Sequence, residues 1–112
     1  MEEVDWGDVA SLKASRPALV LELLTAGDGA GFRRAVEAGF DVNAGSDVGG
    51  SWRTPAHHAA AADDVPTLRL LVENGADLTV KDPQFDATPL GWAVFFEQPN
   101  TAEYLRGLGA AE

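Results

Sequence analysis

Two adjacent histidines, His57 and His58, stand in an alanine-rich segment and are the side chains best suited to acid–base or metal chemistry. Neighbouring residues on a helix point about 100° apart, so the pair cannot hold one metal ion as residues four apart can. The chain contains no cysteine, which excludes thiolate metal sites and cysteine nucleophiles. We therefore expect no metal site and no cofactor.

Carboxylates are numerous, with 18 Asp and Glu residues, but abundance alone does not make a catalytic constellation. The sequence has no Gly-x-Ser-x-Gly elbow, no P-loop, no dinucleotide fingerprint and no His-Glu-x-x-His motif. No residue is predicted to be catalytic, and an enzyme is the less favoured class of protein.

The length and charge of the chain narrow its class further. With 112 residues, 46% of them hydrophobic, we expect one domain spanning residues 1–112. A formal net charge of -10 opposes binding to nucleic acid or to an anionic membrane, and it favours a basic protein partner. No stretch approaches the roughly 18 apolar residues of a membrane span, and the acidic N-terminus is unlike a signal peptide. We therefore expect a cytoplasmic location.

The elements that must position any site come from a unit that recurs about three times. Each full copy opens with a Thr-Pro pair and has a glycine 21 positions after the threonine; these residues are Thr54 with Gly75 and Thr88 with Gly109. A partial earlier copy at residues 33–44 has Gly39 at the position of Gly75. Threonine caps a helix and proline suits its first position, so each Thr-Pro predicts a helix start. Each glycine predicts a left-handed helix stop.

A second helix is predicted inside each copy. In the middle copy Asp64 is expected to cap it and Pro66 to open it. In the last copy Asn100 is expected to be the cap, with Glu103 three residues later completing a capping box. The predicted unit is therefore helix, turn, helix, glycine stop and extended connector.

This unit resembles the ankyrin repeat, which has about 33 residues. The matching residues are Thr54, Pro55, His57, Ala59, Ala60, Gly75, Ala76 and Asp77 in the middle copy, Thr88, Pro89, Leu90, Ala93, Gly109 and Ala110 in the last, and Gly39, Asp41 and Asn43 in the first. The resemblance implies an all-α ankyrin-repeat solenoid of stacked helix-turn-helix units with extended hairpin-like connectors. It divides the chain into an N-terminal extension or capping helix at 1–16, a capping repeat at 17–44, a central repeat at 45–79 and a C-terminal repeat at 80–112.

Three positions depart from the family pattern. Ala56 replaces the usual leucine, Asp63 stands where an interhelix glycine is usual, and Gly91 replaces the usual histidine in the last copy. The connector at 44–53 is also longer than the family period requires, which predicts a larger hairpin or loop.

The resemblance implies a structural His57 that bonds to nearby backbone and to the threonine of Thr-Pro. It also implies a concave binding side lined by the first helices and the connector tips. The residues expected there to contact a protein partner are Trp52, Arg53, His58, Phe85, Trp92, Phe95 and Phe96, with Asp47, Asp82 and Asp86 steering basic groups toward them. Trp52 and Trp92 are the expected anchors.

Two alternatives stay open at this point. The first is a small-molecule-binding or catalytic groove centred on His58 and the neighbouring aromatic side chains. The second is a homodimer through Phe95, Phe96 and Leu108, because a short stack with an uncapped apolar end would seek a partner. Phe95 and Phe96 are equally compatible with closing the hydrophobic core.

Overall fold

The protein is mostly helical in its computed structural model, which describes residues 4–112. The elements are α1 (Val9–Ser15), α2 (Leu19–Thr25), α3 (Gly29–Glu37), β1 (Ser46–Val48), β2 (Ser51–Arg53), α4 (Pro55–Ala61), α5 (Val65–Glu73), α6 (Pro89–Phe95) and α7 (Pro99–Gly107). The prediction of an all-α chain therefore needs one correction, because the long connector forms a two-stranded antiparallel sheet. None of the helices placed between residues 4 and 112 is long and apolar enough to cross a membrane.

The helices pack as three consecutive pairs. Helix α2 packs on α3, α4 on α5 and α6 on α7, while α4 also contacts both α2 and α6. Small residues on α4 make these contacts close, since Ala56, Ala59 and Ala60 are all buried. Leucines such as Leu68 and Leu105 fill the space between the second helices and the first ones. The alanine-rich segment therefore lies at the centre of the core.

The predicted helix starts are confirmed. Thr54 caps α4 by accepting from the backbone N–H of His57 at 3.3 Å, and Thr88 caps α6 by accepting from the N–H of Gly91 at 3.2 Å. A proline follows each threonine at the first helical position. Asp64 caps α5 as expected, although that helix begins at Val65, one residue before the predicted opening.

The predicted glycine stops are also confirmed. Gly39, Gly75 and Gly109 have φ angles of 83°, 93° and 83°, in the left-handed region that favours glycine. The turn between the two helices of a pair uses the same region, where Asp63 and Glu97 both have φ of 55°.

The predicted cap of the last helix is wrong. Helix α7 begins at Pro99 with Gln98 as its N-cap residue, so Asn100 lies inside the first turn rather than before it. The side chain of Gln98 makes no capping bond. Instead Asp63, from the turn of the preceding helix pair, accepts from the backbone N–H groups of Asn100 at 3.1 Å and Thr101 at 3.0 Å. One helix pair therefore caps the next.

The long connector is a tight hairpin. Strands β1 and β2 pair with Asp47 opposite Trp52, and the two turn residues Gly49 and Gly50 have φ of 61° and 88°. Positive φ at both positions is the geometry of a type I′ turn, which glycine accepts without strain. Asp47 Oδ1 fastens the turn by accepting from the N–H of Gly50 at 2.9 Å.

The N-terminal segment packs on the first helix pair. The ring of Trp6 meets Phe40 edge-on with centroids 6.0 Å apart, and the guanidinium of Arg34 lies 5.3 Å from the Trp6 ring. Trp6 therefore packs the N-terminal segment against the first helix pair.

Candidate functional site

His57 is a fully buried structural histidine, as predicted. Its Nε2 donates to the carbonyl oxygen of Ala87 at 2.8 Å, which leaves Nδ1 to accept from the hydroxyl of Thr54 at 2.8 Å. Burial lowers the pKa of His57 below its ordinary value, outweighing the opposite effect of the Ala87 carbonyl. The neutral ring ties α4 to the connector that precedes α6.

His58 is half-buried beside the guanidinium of Arg53. The Nη1 of Arg53 lies 3.4 Å from its Nδ1. Burial is the main cause that lowers the pKa of His58, and the charge of Arg53 lowers that pKa further. In the part of the chain that the structure describes, no three His, Cys, Asp or Glu side chains lie together as metal ligands.

Asp82 is buried, and the expectation that it is an exposed steering carboxylate is wrong. Its Oδ1 accepts from the indole Nε1 of Trp92 at 2.7 Å and from the N–H of Ala87 at 3.1 Å. Its Oδ2 accepts from the N–H groups of Phe85 at 2.8 Å and Gln84 at 3.1 Å. Burial alone raises the pKa of Asp82, but the bonds from Trp92, Phe85 and Ala87 together hold it below its ordinary value. Asp82 thus fixes the connector.

Trp92 is buried too, so the expectation that it projects as an exposed anchor is wrong. Its ring centroid lies 5.0 Å from that of His57, and the guanidinium carbon of Arg53 lies 5.2 Å from the indole ring. Arg53 is half-buried between these groups, and its Nε finds no hydrogen-bond partner among residues 4–112. Trp92 therefore lies beneath the surface formed by its neighbours and does not project into solvent as a binding side chain.

Trp52 packs against its own hairpin. The side chain is half-buried, and its ring lies so close to Gly45 that a Cβ at that position would collide with the ring. Asp47 and Asp86 are exposed, as expected of connector carboxylates. Asp86 follows Phe85 directly and adopts φ of 50°.

Three exposed phenylalanines form what we call the phenylalanine patch: Phe85, Phe95 and Phe96, which are 59%, 70% and 46% exposed. Phe85 stacks on Phe95 with centroids 5.9 Å apart, and Phe95 meets Phe96 edge-on at 5.1 Å. These exposures exclude the alternative in which Phe95 and Phe96 close the core.

The patch surrounds a recess of about 290 Å³ that we call the aromatic recess. Its walls are the three phenylalanines, and the other lining residues are Ala87, Gly91 and Trp92. His58 does not line it. Gly91 occupies the position of the usual ankyrin histidine, and it packs so closely on Ala87 that an added Cβ would lie 3.1 Å from the Cβ of Ala87.

Sequence reasoning brought together Phe85, Trp92, Phe95 and Phe96, and the structure joins these four rings. It missed the carboxylate of Asp82 beneath them and the role of Asp63 as a cap for the next helix pair. The capping role of Asp63 had a usable signal, because Asp63 replaces the usual glycine, and a strained acidic residue in a turn needs a compensating bond. No comparable signal marked Asp82.

Two helix pairs, α4 with α5 and α6 with α7, each begin at a capped Thr-Pro and end at a left-handed glycine, and Asp63 of the first bonds to the start of α7. A unit that recurs and contacts its neighbour in this way is typical of repeat proteins. Residues 56–106, which span nearly all of α4 to α7, match the family described as "Ankyrin repeats (many copies)". This segment of the chain is similar to the ankyrin repeat family, whose members are generally protein-interaction modules. A search of the curated proteins gives no match for the chain.

Proposed function

We propose that this protein is an interaction module that binds a protein partner through the phenylalanine patch and the neighbouring connector tips. The observation that carries the proposal is the exposure of three adjacent aromatic side chains, Phe85, Phe95 and Phe96. Aromatic residues dominate binding hot spots because they bury a large area at a modest entropic cost. A cytoplasmic site of action is part of the same proposal.

The support beneath the patch favours binding without a large ordering cost. Asp82 holds the backbone N–H groups of Gln84, Phe85 and Ala87 together with the indole of Trp92. His57 fastens the carbonyl of Ala87 from the other side. A surface fixed by this many bonds is preorganised, so less conformational entropy is lost when a partner binds.

The charges around the patch favour a basic partner. Asp86 and Glu97 are exposed next to the patch in sequence, Asp47 is exposed on the hairpin, and the chain has a net charge of -10. Such a surface speeds the encounter with a positively charged protein, and added salt weakens the effect. The half-buried Trp52, Arg53 and His58 serve in this proposal as neighbours that shape the surface, rather than as anchors.

A peptide-display experiment tests the proposal. Random peptides are selected on the wild-type protein, and each enriched peptide is titrated against a Phe95→Ser/Phe96→Ser variant. We expect the double variant to lose affinity by about tenfold or more, because each ring is an exposed contact group. Leu108→Ser is the matched control, since Leu108 is 48% exposed but does not line the aromatic recess. Equal binding by the wild type and the double variant would remove the patch from the function.

A further inference from the structure

We propose that the aromatic recess binds a methylated ammonium group, carried naturally on an N-methylated lysine side chain of the partner. The inference rests on the proposed function and specifies the chemistry of the partner's anchor.

Four aromatic rings are arranged around the recess. Phe85, Trp92, Phe96 and Phe95 form a closed circuit in which successive centroids lie 6.4, 5.8, 5.1 and 5.9 Å apart. The interplanar angles vary from 26° to 88°, so the ring faces point in several directions around the recess. Aromatic faces carry negative charge and attract organic cations, and several rings around one space are the known means of holding a quaternary ammonium group.

The three phenylalanines of the patch differ from four other aromatic side chains in having no cation paired with them among residues 4–112. Three aromatic rings elsewhere in the described chain each have a basic side chain over them; these pairs are Lys13 with Phe40, Arg34 with Trp6, and Arg69 with Tyr104. Among the rings of the recess, Arg53 lies over that of Trp92 alone. Within residues 4–112, no lysine or arginine lies over Phe85, Phe95 or Phe96. The exposed rings are therefore free to receive a cation from outside.

The rim of the recess carries negative charge. Asp86 and Glu97 are exposed and adjoin Phe85 and Phe96 in sequence, and the carboxylate of Asp82 lies beneath Trp92. The positive charge of Arg53 lies over the face of Trp92 and partly offsets these negative charges, but Arg53 does not line the recess. The surroundings combine a negative rim with an uncharged aromatic lining.

The lining also distinguishes a methylated ammonium from a plain one. An unmodified lysine has three N–H donors, each of which needs an acceptor when it leaves water. The side chains around the recess offer none, because the phenylalanine rings have no acceptor atom and the indole of Trp92 is a donor already bonded to Asp82. The backbone carbonyl of Ala87 already accepts from His57 and from the N–H of Asp82. A trimethylated ammonium has no donor to satisfy, and its methyl groups gain from the apolar walls.

The test compares a cation with its uncharged twin of the same shape. The probes are choline and 3,3-dimethylbutan-1-ol, and each is titrated into the full chain while the backbone amide resonances of Ala87 and Gly91 are followed by NMR. We expect choline to bind several-fold to about tenfold more tightly, since only the cation gains from the ring faces. Equal affinity, or shifts from neither probe, would overturn the inference.

Two variants separate the causes. Phe95→Leu keeps an apolar side chain but removes a ring, so choline binding should fall several-fold while binding of the alcohol changes less. Asp86→Asn with Glu97→Gln removes the rim charges and should weaken choline alone. Leu108→Ala is the control that leaves both affinities unchanged, and a matching NMR spectrum confirms the fold of each variant. A loss of both probes alike would identify a plain apolar recess and reject the inference.

A second arm identifies the source of the group. N-acetyl-trimethyllysine methylamide and N-acetyl-lysine methylamide are titrated in the same way, and we expect the methylated form to bind about tenfold more tightly. Trimethyllysine binding above that of choline supports the proposed protein source, whereas tighter binding of choline would reject that source in favour of a small molecule. Display peptides that depend on Phe95 and Phe96 but need no cation would leave the proposed function standing and overturn only this inference.

Discussion

The carboxylate of Asp82 accepts a 2.7 Å hydrogen bond from the indole nitrogen of Trp92, and both side chains are buried. This bond joins the connector to the floor of the phenylalanine patch, because the same carboxylate also holds three backbone N–H groups of the connector. A buried charge is tolerated only when its hydrogen-bonding capacity is filled. The geometry of the candidate binding surface therefore depends on a group that a partner never touches.

Replacing Asp82 by alanine should destabilise the protein by about 2–3 kcal/mol, because the buried indole N–H of Trp92 loses its acceptor. Urea unfolding followed by circular dichroism measures the free energy of unfolding. The control is Glu103→Ala, an exposed carboxylate on α7, for which we expect a change within about 0.5 kcal/mol. Similar stability of the two variants would show that the Asp82 bonds contribute little.

Stability should fall as the pH drops below the ordinary histidine pKa of about 6.5. Burial lowers the pKa of His57 in the folded protein, so the unfolded chain takes up a proton first as the solution is acidified. The stabilisation from neutral His57 is therefore complete above the ordinary pKa, and it is lost as the pH falls toward the lowered pKa of the folded protein. Unfolding measured at several pH values between neutrality and about pH 5 tests this.

His57→Gln is the variant that isolates the effect. It removes the titrating group, so the free energy of unfolding should depend less steeply on pH in this range, although the protein is less stable throughout. His58 has a lowered pKa for the same main cause, so His58→Gln should flatten part of the remaining slope. An unchanged slope in both variants would contradict the assignment of the pH dependence to buried neutral histidines.

Substitution by glycine should destabilise the protein more at Asp63 than at Glu97, the residue in the corresponding turn of the next helix pair. Both residues have φ of 55°, which glycine adopts without strain, so substitution by glycine relieves strain at either site. Asp63→Gly also removes the acceptor for the N–H groups of Asn100 and Thr101 at the start of α7. The urea midpoint should therefore fall for Asp63→Gly and stay level or rise for Glu97→Gly.

Asp63→Ala completes the comparison. Alanine loses the cap and keeps the strain, so this variant should be the least stable of the three. If Asp63→Gly were as stable as the wild type, capping of α7 by the preceding pair would contribute nothing measurable.

The parts of this structure that the sequence predicts are those governed by local interactions. Thr54 and Thr88 bond to N–H groups three residues away, and the conformation of Gly75 depends on its own φ, so short motifs reveal them. Asp82 lies ten residues from Trp92 and Asp63 lies 38 from Thr101. Carboxylates in connectors are usually exposed, so the residue type of Asp82 gave no sign of its bonds. For Asp63 only the departure from the usual glycine was a signal, and it did not reveal the partner.

The exposure of the aromatic side chains also depends on long-range bonds, so the sequence predicts it poorly. The sequence predicts that Phe85, Trp92 and Phe95 lie in one region, because each belongs to a first helix or to a connector. In the structure, the ring of Phe85 contacts those of Trp92 and Phe95. Which rings face solvent depends on how the connector folds over Trp92, and that follows from the Asp82 bonds. The sequence thus identified the region but not which of its residues are exposed.

Beside the hairpin, Gly45 leaves room for the ring of Trp52. Gly45→Ala would place a methyl group within the space of that ring, so the ring must move outward and become more exposed to water. We expect the tryptophan emission to shift toward the red and the urea midpoint to fall, with the helical circular dichroism signal retained. Trp52→Phe in both backgrounds assigns the emission change to Trp52 rather than to Trp6 or Trp92.

Gly107→Ala is the matched control for that substitution. Gly107 lies at the end of α7, with no atom near the position of an added Cβ and no positive φ. Alanine there should raise stability by about 0.5–1 kcal/mol, because glycine is the poorer helix former. If Gly45→Ala stabilised the protein as Gly107→Ala does, the ring of Trp52 would not be packed against Gly45, and the hairpin would owe its shape to the turn alone.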